Sequence, residues 1–136
     1  MLVDGTGVPL SLVVTGANRH DVSQLEAVLD SIVIERPDIF ERPQHLCLDK
    51  GFTGEPALEI VVLRGFIPHI RSRGEEKIEK TDNPERKARR WVVEVTHSWM
   101  NRFRKLLVRY EKLTSSYLGL LMLACAFIAF RKADVI

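Results

Sequence analysis

Cysteine is nearly absent from this chain of 136 residues: only Cys47 and Cys125 occur, far apart and each in an apolar run. That excludes a disulfide framework and a CxxC zinc site, and leaves reduced core thiols in a cytosolic protein as the expectation. No P-loop, GxGxxG or GxSxG motif is present, so nucleotide-cofactor and serine-hydrolase readings lack support. His20, His45 and His69 have no second histidine four residues on, which a zinc-binding helix would show. The opening MLVDGTG has neither a basic cluster nor a long apolar stretch and is not read as a signal peptide. The longest nearly apolar run, residues 118–130, is 13 residues, short of the roughly 18–20 that span a bilayer. It is expected to be a buried core helix or a partner-binding helix, not a membrane anchor.

What is present is ordinary for a globular chain: 46% hydrophobic and 28% charged residues. The length suits one domain with a real core that needs no metal or disulfide staple. The net charge is only +2, but it is unevenly spread. Residues 1–70 hold 10 acidic and 5 basic side chains, a net of −5; residues 71–136 hold 8 acidic and 15 basic, a net of +7. The basic half fits either a polyanion partner or a solvated helical surface.

Residues 2–4 and 8–15 read as strands around the turn Gly5-Thr6-Gly7, with Asp4 as a turn residue. Asp21 and Gln24 form a capping-box pattern, after which Leu25, Val28, Leu29 and Ile32 mark one helical stripe. Residues 35–44, with Pro37 and Pro43, read as a loop. His45-Leu46-Cys47-Leu48 reads as a buried strand ending at Asp49-Lys50-Gly51-Phe52. Thr53 or Glu55 caps a helix that stops at Gly65, and residues 66–70 form another strand. Residues 71–83 read as a mobile loop, residues 84–110 as one long helix, and residues 113–132 as a last helix. Strands alternating with single helices point to an α/β fold. Asp49 would then lie at the C-terminal end of a strand, where ligand sites in open α/β sheets occur.

Stepping 100° per residue along the long helix puts Arg90, His97, Asn101 and Lys105 within about 60° of Glu94. Val92, Trp99, Phe103, Leu106 and Tyr110 fall on the opposite, buried side. Between Arg86 and Lys112 there are nine Lys or Arg and two acids, Glu94 and Glu111. Glu94 is either a salt-bridge partner, with Arg90 at i−4, or a metal ligand. Asp49 is either a turn and cap residue or catalytic.

In order along nearly the whole chain, several stretches resemble the C-terminal catalytic part of DDE insertion-sequence transposases of the IS4/IS5 group. They are Leu2-Val3-Asp4-Gly5-Thr6-Gly7-Val8-Pro9-Leu10, then Thr15-Gly16-Ala17-Asn18-Arg19-His20-Asp21, then Asp49-Lys50-Gly51-Phe52. Arg90-Trp91-Val92-Val93-Glu94, Trp99-Met100-Asn101-Arg102-Phe103-Arg104 and the run from Tyr117 to Arg131 follow. Three positions depart from the pattern: Lys87 stands in place of a tyrosine, Asn101 in place of a basic residue, and Val95 where many relatives carry arginine.

The resemblance implies an α/β, RNase H-like mixed sheet with flanking helices, in which carboxylates hold Mg²⁺ (or Mn²⁺) to cut and join DNA. Asp49 matches the second acidic position and Glu94 the third, making both expected catalytic and metal-binding residues. Arg90, His97, Asn101, Arg102 and Lys105 are the expected DNA-side residues. Asp4 matches a turn, so the family's first aspartate and its central strand are expected upstream of residue 1. Residues 1–136 are accordingly expected to be a partial catalytic domain, truncated at the N-terminus and inactive alone. Expected partners are DNA (transposon ends and target), a second copy or an upstream transposase segment, and no membrane, in the bacterial cytoplasm at the nucleoid. Two alternatives are a non-catalytic DNA-binding fragment and a self-associating interaction protein.

Overall fold

A computed structural model of the chain describes residues 1–16, 18–70 and 91–133. The fold is mixed α/β, with two small two-stranded sheets and five α-helices among the described residues. The chain divides into two compact units, Met1–Val14 with Trp91–Ile136, and Thr15–Arg90.

In the first unit, β1 (Leu2–Val3) pairs antiparallel with β2 (Pro9–Ser11). The turn between them is built on Asp4, whose Oδ1 accepts the Thr6 N–H at 2.8 Å, the Thr6 hydroxyl at 2.8 Å and the Val8 N–H at 2.9 Å. Asp4 is thus a turn residue, as its sequence context indicates. The second strand is shorter than residues 8–15. Pro9 has no N–H for the ladder and the register shifts between Leu2 and Val3, while Leu12 and Val14 turn into the core.

Of the long helix expected over residues 84–110, residues 84–90 lie outside the described residues. The rest is two helices, α3 (Trp91–Met100) and α4 (Arg104–Leu107). Between them, the Arg102 and Phe103 N–H groups bond three residues back, to the carbonyls of Trp99 and Met100, and Phe103 is extended at φ −84°, ψ 103°. No proline or glycine breaks the helix there. Instead the turn lets Phe103 pack edge-to-face on Phe127 at 5.9 Å between ring centroids. Phe127 belongs to α5 (Thr114–Lys132), whose Leu121, Ala124 and Ile128 recur at i, i+3 and i+7 as its buried stripe.

Met100, Leu121 and Ile128 form the centre of this core, with Leu12, Val14, Trp99, Phe103 and Leu106 packed around them. Cys125 is half-buried there, and burial pushes its thiol pKa up. Tyr110, expected on the buried stripe, is instead 77% exposed, because the stripe does not continue through the helix break. The last helix, expected to be a buried core helix or a partner-binding helix, buries one face, while Met122, Leu123, Phe127 and Phe130 are exposed. At 19 residues, α5 is long and apolar enough by length and composition to cross a membrane, and one face packs in the unit's core.

In the second unit, a short 3₁₀ turn (Asp21–Gln24) leads into α1 (Leu25–Asp30), which buries Leu25 and Leu29. The residues preceding the two elements, His20 and Gln24, make no side-chain cap hydrogen bond, and the Asp21 side chain of the expected capping box lies outside what is described. β3 (Gln44–Leu48), α2 (Glu55–Leu63) and β4 (Phe66–Ile70) make a strand–helix–strand unit with the two strands parallel, Gln44 opposite Phe66 and Leu48 opposite Ile70. Leu46, Leu48 and Phe66 of the sheet and Ala57 and Val61 of the helix are buried.

The helix starts from Gly54 at φ 135°, not from Thr53 or Glu55. It ends at Gly65, φ +73°, where a Cβ would come within 2.9 Å of Ile39. Arg36 fastens that end. Its guanidinium donates to the carbonyls of Arg64 (2.6 Å) and Gly65 (3.3 Å) and to Gln44 Oε1 (2.8 Å), and lies 3.7 Å over the Phe66 ring. Arg64 in turn bridges Asp30 at 2.7 Å and Glu26 at 2.6 Å on α1.

Cys47 is exposed, not a core thiol. Successive residues of β3 point to opposite faces, and Leu46 and Leu48 take the buried one.

Candidate functional site

Asp49 follows directly on β3, at the C-terminal end of a parallel strand, and is exposed. Its backbone is extended (φ −74°, ψ 160°), and it caps the 3₁₀ turn Lys50–Phe52. Its Oδ1 accepts the Lys50 N–H at 2.6 Å and its carbonyl accepts the Phe52 N–H at 2.9 Å. The Thr53 hydroxyl closes the turn by donating to the Lys50 carbonyl at 2.9 Å. Asp49 thus caps the turn through one carboxylate oxygen at the strand end.

Glu94 lies in the first described turn of α3 and is exposed. Val92, Thr96 and Met100 take the buried side of that helix, and Glu94, His97 and Ser98 the exposed one. Among the described residues Glu94 makes no ion pair. Arg90, its expected partner, lies outside the described residues.

His97 is one turn on from Glu94, and desolvation by its surroundings pushes its pKa down, favouring the neutral ring. Asn101 continues the helical path for one residue, its N–H bonding the His97 carbonyl at 2.9 Å. Glu94, His97 and Asn101 thus follow one another at i, i+3 and i+7. Arg102 falls in the turn, and Lys105 lies on α4, so Lys105 does not share the helical stripe drawn from sequence. Arg102, Arg104 and Lys105 are all exposed, and none is engaged by a hydrogen bond or ion pair among the described residues. Other cations nearby are engaged: Lys132 lies over the Trp99 ring at 4.7 Å and Arg109 over Tyr117 at 4.9 Å.

Thr96 escaped the sequence reading. It is fully buried, and its hydroxyl donates to the Gly7 carbonyl at 2.7 Å, with the Val92 carbonyl at 3.2 Å. Gly7 is at φ +91°, where a Cβ would meet Thr96 Oγ1 and the Trp99 ring at 3.0 Å. The contact ties the β1–β2 turn to the helix that carries Glu94. Its signal was a polar residue on the apolar i, i+4, i+8 series Val92, Thr96, Met100.

Carboxylate oxygens are the donors that hard divalent cations prefer. Asp49 and Glu94 supply such donors at exposed positions, which fits Mg²⁺ or Mn²⁺. Among the described residues, no group of three or more His, Cys, Asp or Glu side chains gathers to hold a metal.

Residues 46–131 match the family model described as "Transposase DDE domain". The chain is 32% identical, over 145 aligned positions and 98% of its length, to the protein described as the transposase for insertion sequence element IS402 of Burkholderia cepacia. It spans 64% of that curated relative's length. No solved structure matches.

Proposed function

The chain belongs to the DDE transposase family, and from that premise we propose that it supplies part of the catalytic domain with which an insertion-sequence transposase cuts and joins DNA. The observation that carries this reading is the exposed Asp49 at the C-terminal end of a parallel strand, within the matched residues 46–131. On this reading residues 1–136 belong to an RNase H-like mixed sheet with flanking helices. The setting would be the bacterial cytoplasm, at the nucleoid.

Asp49 and Glu94 would hold Mg²⁺ (or Mn²⁺) through their carboxylate oxygens. Bound there, the cation supplies charge neutralisation at phosphorus, where an in-line displacement opens or re-forms a phosphodiester. The role of the protein groups is to hold and orient. The Lys50 N–H fixes one Asp49 oxygen, and α3 holds Glu94 on its exposed face. Arg90, Arg102 and Lys105 would contact phosphates of transposon-end or target DNA, with His97 and Asn101 as uncharged polar neighbours. The first aspartate of the family's triad is not assigned among these residues. The 136 residues by themselves are therefore proposed to be inactive as a nuclease, working with an upstream transposase segment or a second copy.

Cleavage of element-end DNA tests the reading, with the portion of the IS402-like relative that this chain does not match supplied in trans. Asp49→Ala and Glu94→Ala should each abolish Mg²⁺-dependent cleavage. Undiminished cleavage in both would overturn the assignment. A second reading, a non-catalytic DNA-binding module, is favoured by the unengaged cluster Arg102, Arg104 and Lys105. It predicts salt-sensitive DNA binding that neither Mg²⁺ nor Glu94→Ala alters.

A further inference from the structure

The exposed face of the β3–β4 sheet carries a pair of histidines that the transposase reading does not use. His45 Nδ1 and His69 Nε2 are 2.7 Å apart, with ring centroids at 4.9 Å and ring planes at 40°. The parallel register explains the meeting. His45 stands opposite Ile67 and Cys47 opposite His69, so the two rings reach each other diagonally on one face. Leu46 and Leu48 occupy the other, buried face.

We propose that His45 and His69 form a two-imidazole site for a borderline divalent transition ion of the zinc class, clamping β3 to β4. At 2.7 Å one ring donates its N–H and the other receives it on its lone pair. A cation bound by both rings would replace that shared proton. Zn–N bonds run about 2.0–2.1 Å, so two nitrogens on one tetrahedral ion stand roughly 3.3 Å apart. From 2.7 Å the rings would open by roughly 0.6 Å and turn so that both lone pairs converge on the ion. Imidazole nitrogen suits Zn²⁺, Cu²⁺ and Ni²⁺ and does not suit Mg²⁺, which keeps to oxygen. The site is thus chemically distinct from the carboxylates Asp49 and Glu94. Among the described residues no group of three or more His, Cys, Asp or Glu side chains gathers here. A cross-strand chelate would stiffen a sheet of only two strands, and β3 is the strand that ends at Asp49.

The test is calorimetric titration of the whole 136-residue chain with Zn²⁺, in the presence of millimolar Mg²⁺ and without DNA. One ion should bind per chain, raising the melting temperature. His45→Gln and His69→Gln, with far-UV circular dichroism confirming that they fold, should each weaken binding at least about tenfold, since loss of an outer-shell partner alone costs that much. Glu59→Gln, at an exposed position of α2, should leave it unchanged. Absence of zinc binding, wild-type affinity in either histidine variant, or displacement of zinc by Mg²⁺ would each overturn the proposal. Because no DNA and no cleavage enter the measurement, its outcome is independent of the transposase reading.

Discussion

The Thr96 hydroxyl reaches the Gly7 carbonyl at 2.7 Å, joining residues 89 apart in sequence. One buried hydrogen bond thereby fixes the Asp4–Gly7 turn on the helix that carries Glu94. Thr96→Val keeps the shape and removes the donor, leaving the Gly7 carbonyl without it. We expect a loss of about 1–3 kcal/mol, the cost of an unsatisfied buried group, read as a lower urea midpoint. Gly7→Ala should cost more than about 1 kcal/mol, because φ +91° suits glycine and the new methyl meets Thr96 and Trp99.

Arg36 should matter more to folding than Arg64. Arg36 donates to two backbone carbonyls and to Gln44 and stacks on Phe66, whereas the partners of Arg64 on α1 are exposed carboxylates. Arg36→Ala is expected to destabilise by about 1.5–3 kcal/mol, the range for hydrogen bonds to a charged group. Arg64→Ala should cost no more than about 1 kcal/mol, and less at high salt. Arg36→Lys should not rescue, since an ammonium lacks the planar fork. Chemical denaturation at two salt concentrations checks all three.

Asp4 gives stability a pH dependence. Partial burial disfavours its charge, but hydrogen bonds from Val8 and Thr6 outweigh that and hold its pKa below the usual carboxylate value of 3.8. A carboxyl lowered by folding contributes stability that is full above its unfolded pKa and is lost as pH falls through the lower, folded value. Asp30, lowered by the Arg64 hydrogen bond, acts in the same direction. Melting temperature should therefore fall as pH drops below about 4. Asp4→Asn should flatten that fall and lower the plateau at neutral pH. An identical acid limb in wild type and variant would contradict this role for Asp4.

The strand–helix–strand segment was legible because its signals are local. Leu46 and Leu48 alternate with exposed residues, Gly65 takes the left-handed conformation that closes α2, and Asp49 follows the strand directly. The break at residues 101–103 was not legible. A helical wheel assumes an unbroken helix, and Phe103 leaves that path to meet Phe127, a contact 24 residues away that no local pattern records. The stripes on which a helical wheel places Lys105 and Tyr110 therefore do not continue past the break. Thr96 was missed for a related reason: its partner, Gly7, is distant in sequence. The exposure of Cys47 could have been read from strand alternation, which the apolar run around it concealed.

Ser11 offers a way to stabilise the first unit. Its hydroxyl is buried with no hydrogen-bond partner among the described residues. Ser11→Ala removes a desolvated group and should raise stability by about 1 kcal/mol, at the low end of the penalty for an unmet buried hydroxyl. A lowered melting temperature would show that the hydroxyl is satisfied in solution.

Two carboxylates sharing one divalent ion is the claim on which the transposase chemistry rests. Fe²⁺ substituted for Mg²⁺ and oxidised in place generates radicals that cut the polypeptide close to the ion. In the reconstituted complex, cuts should appear together near residues 49 and 94, vanish under excess Mg²⁺, and disappear at both positions in either Asp49→Ala or Glu94→Ala. Cutting at one position only, or at both independently of the other carboxylate, would contradict a shared ion.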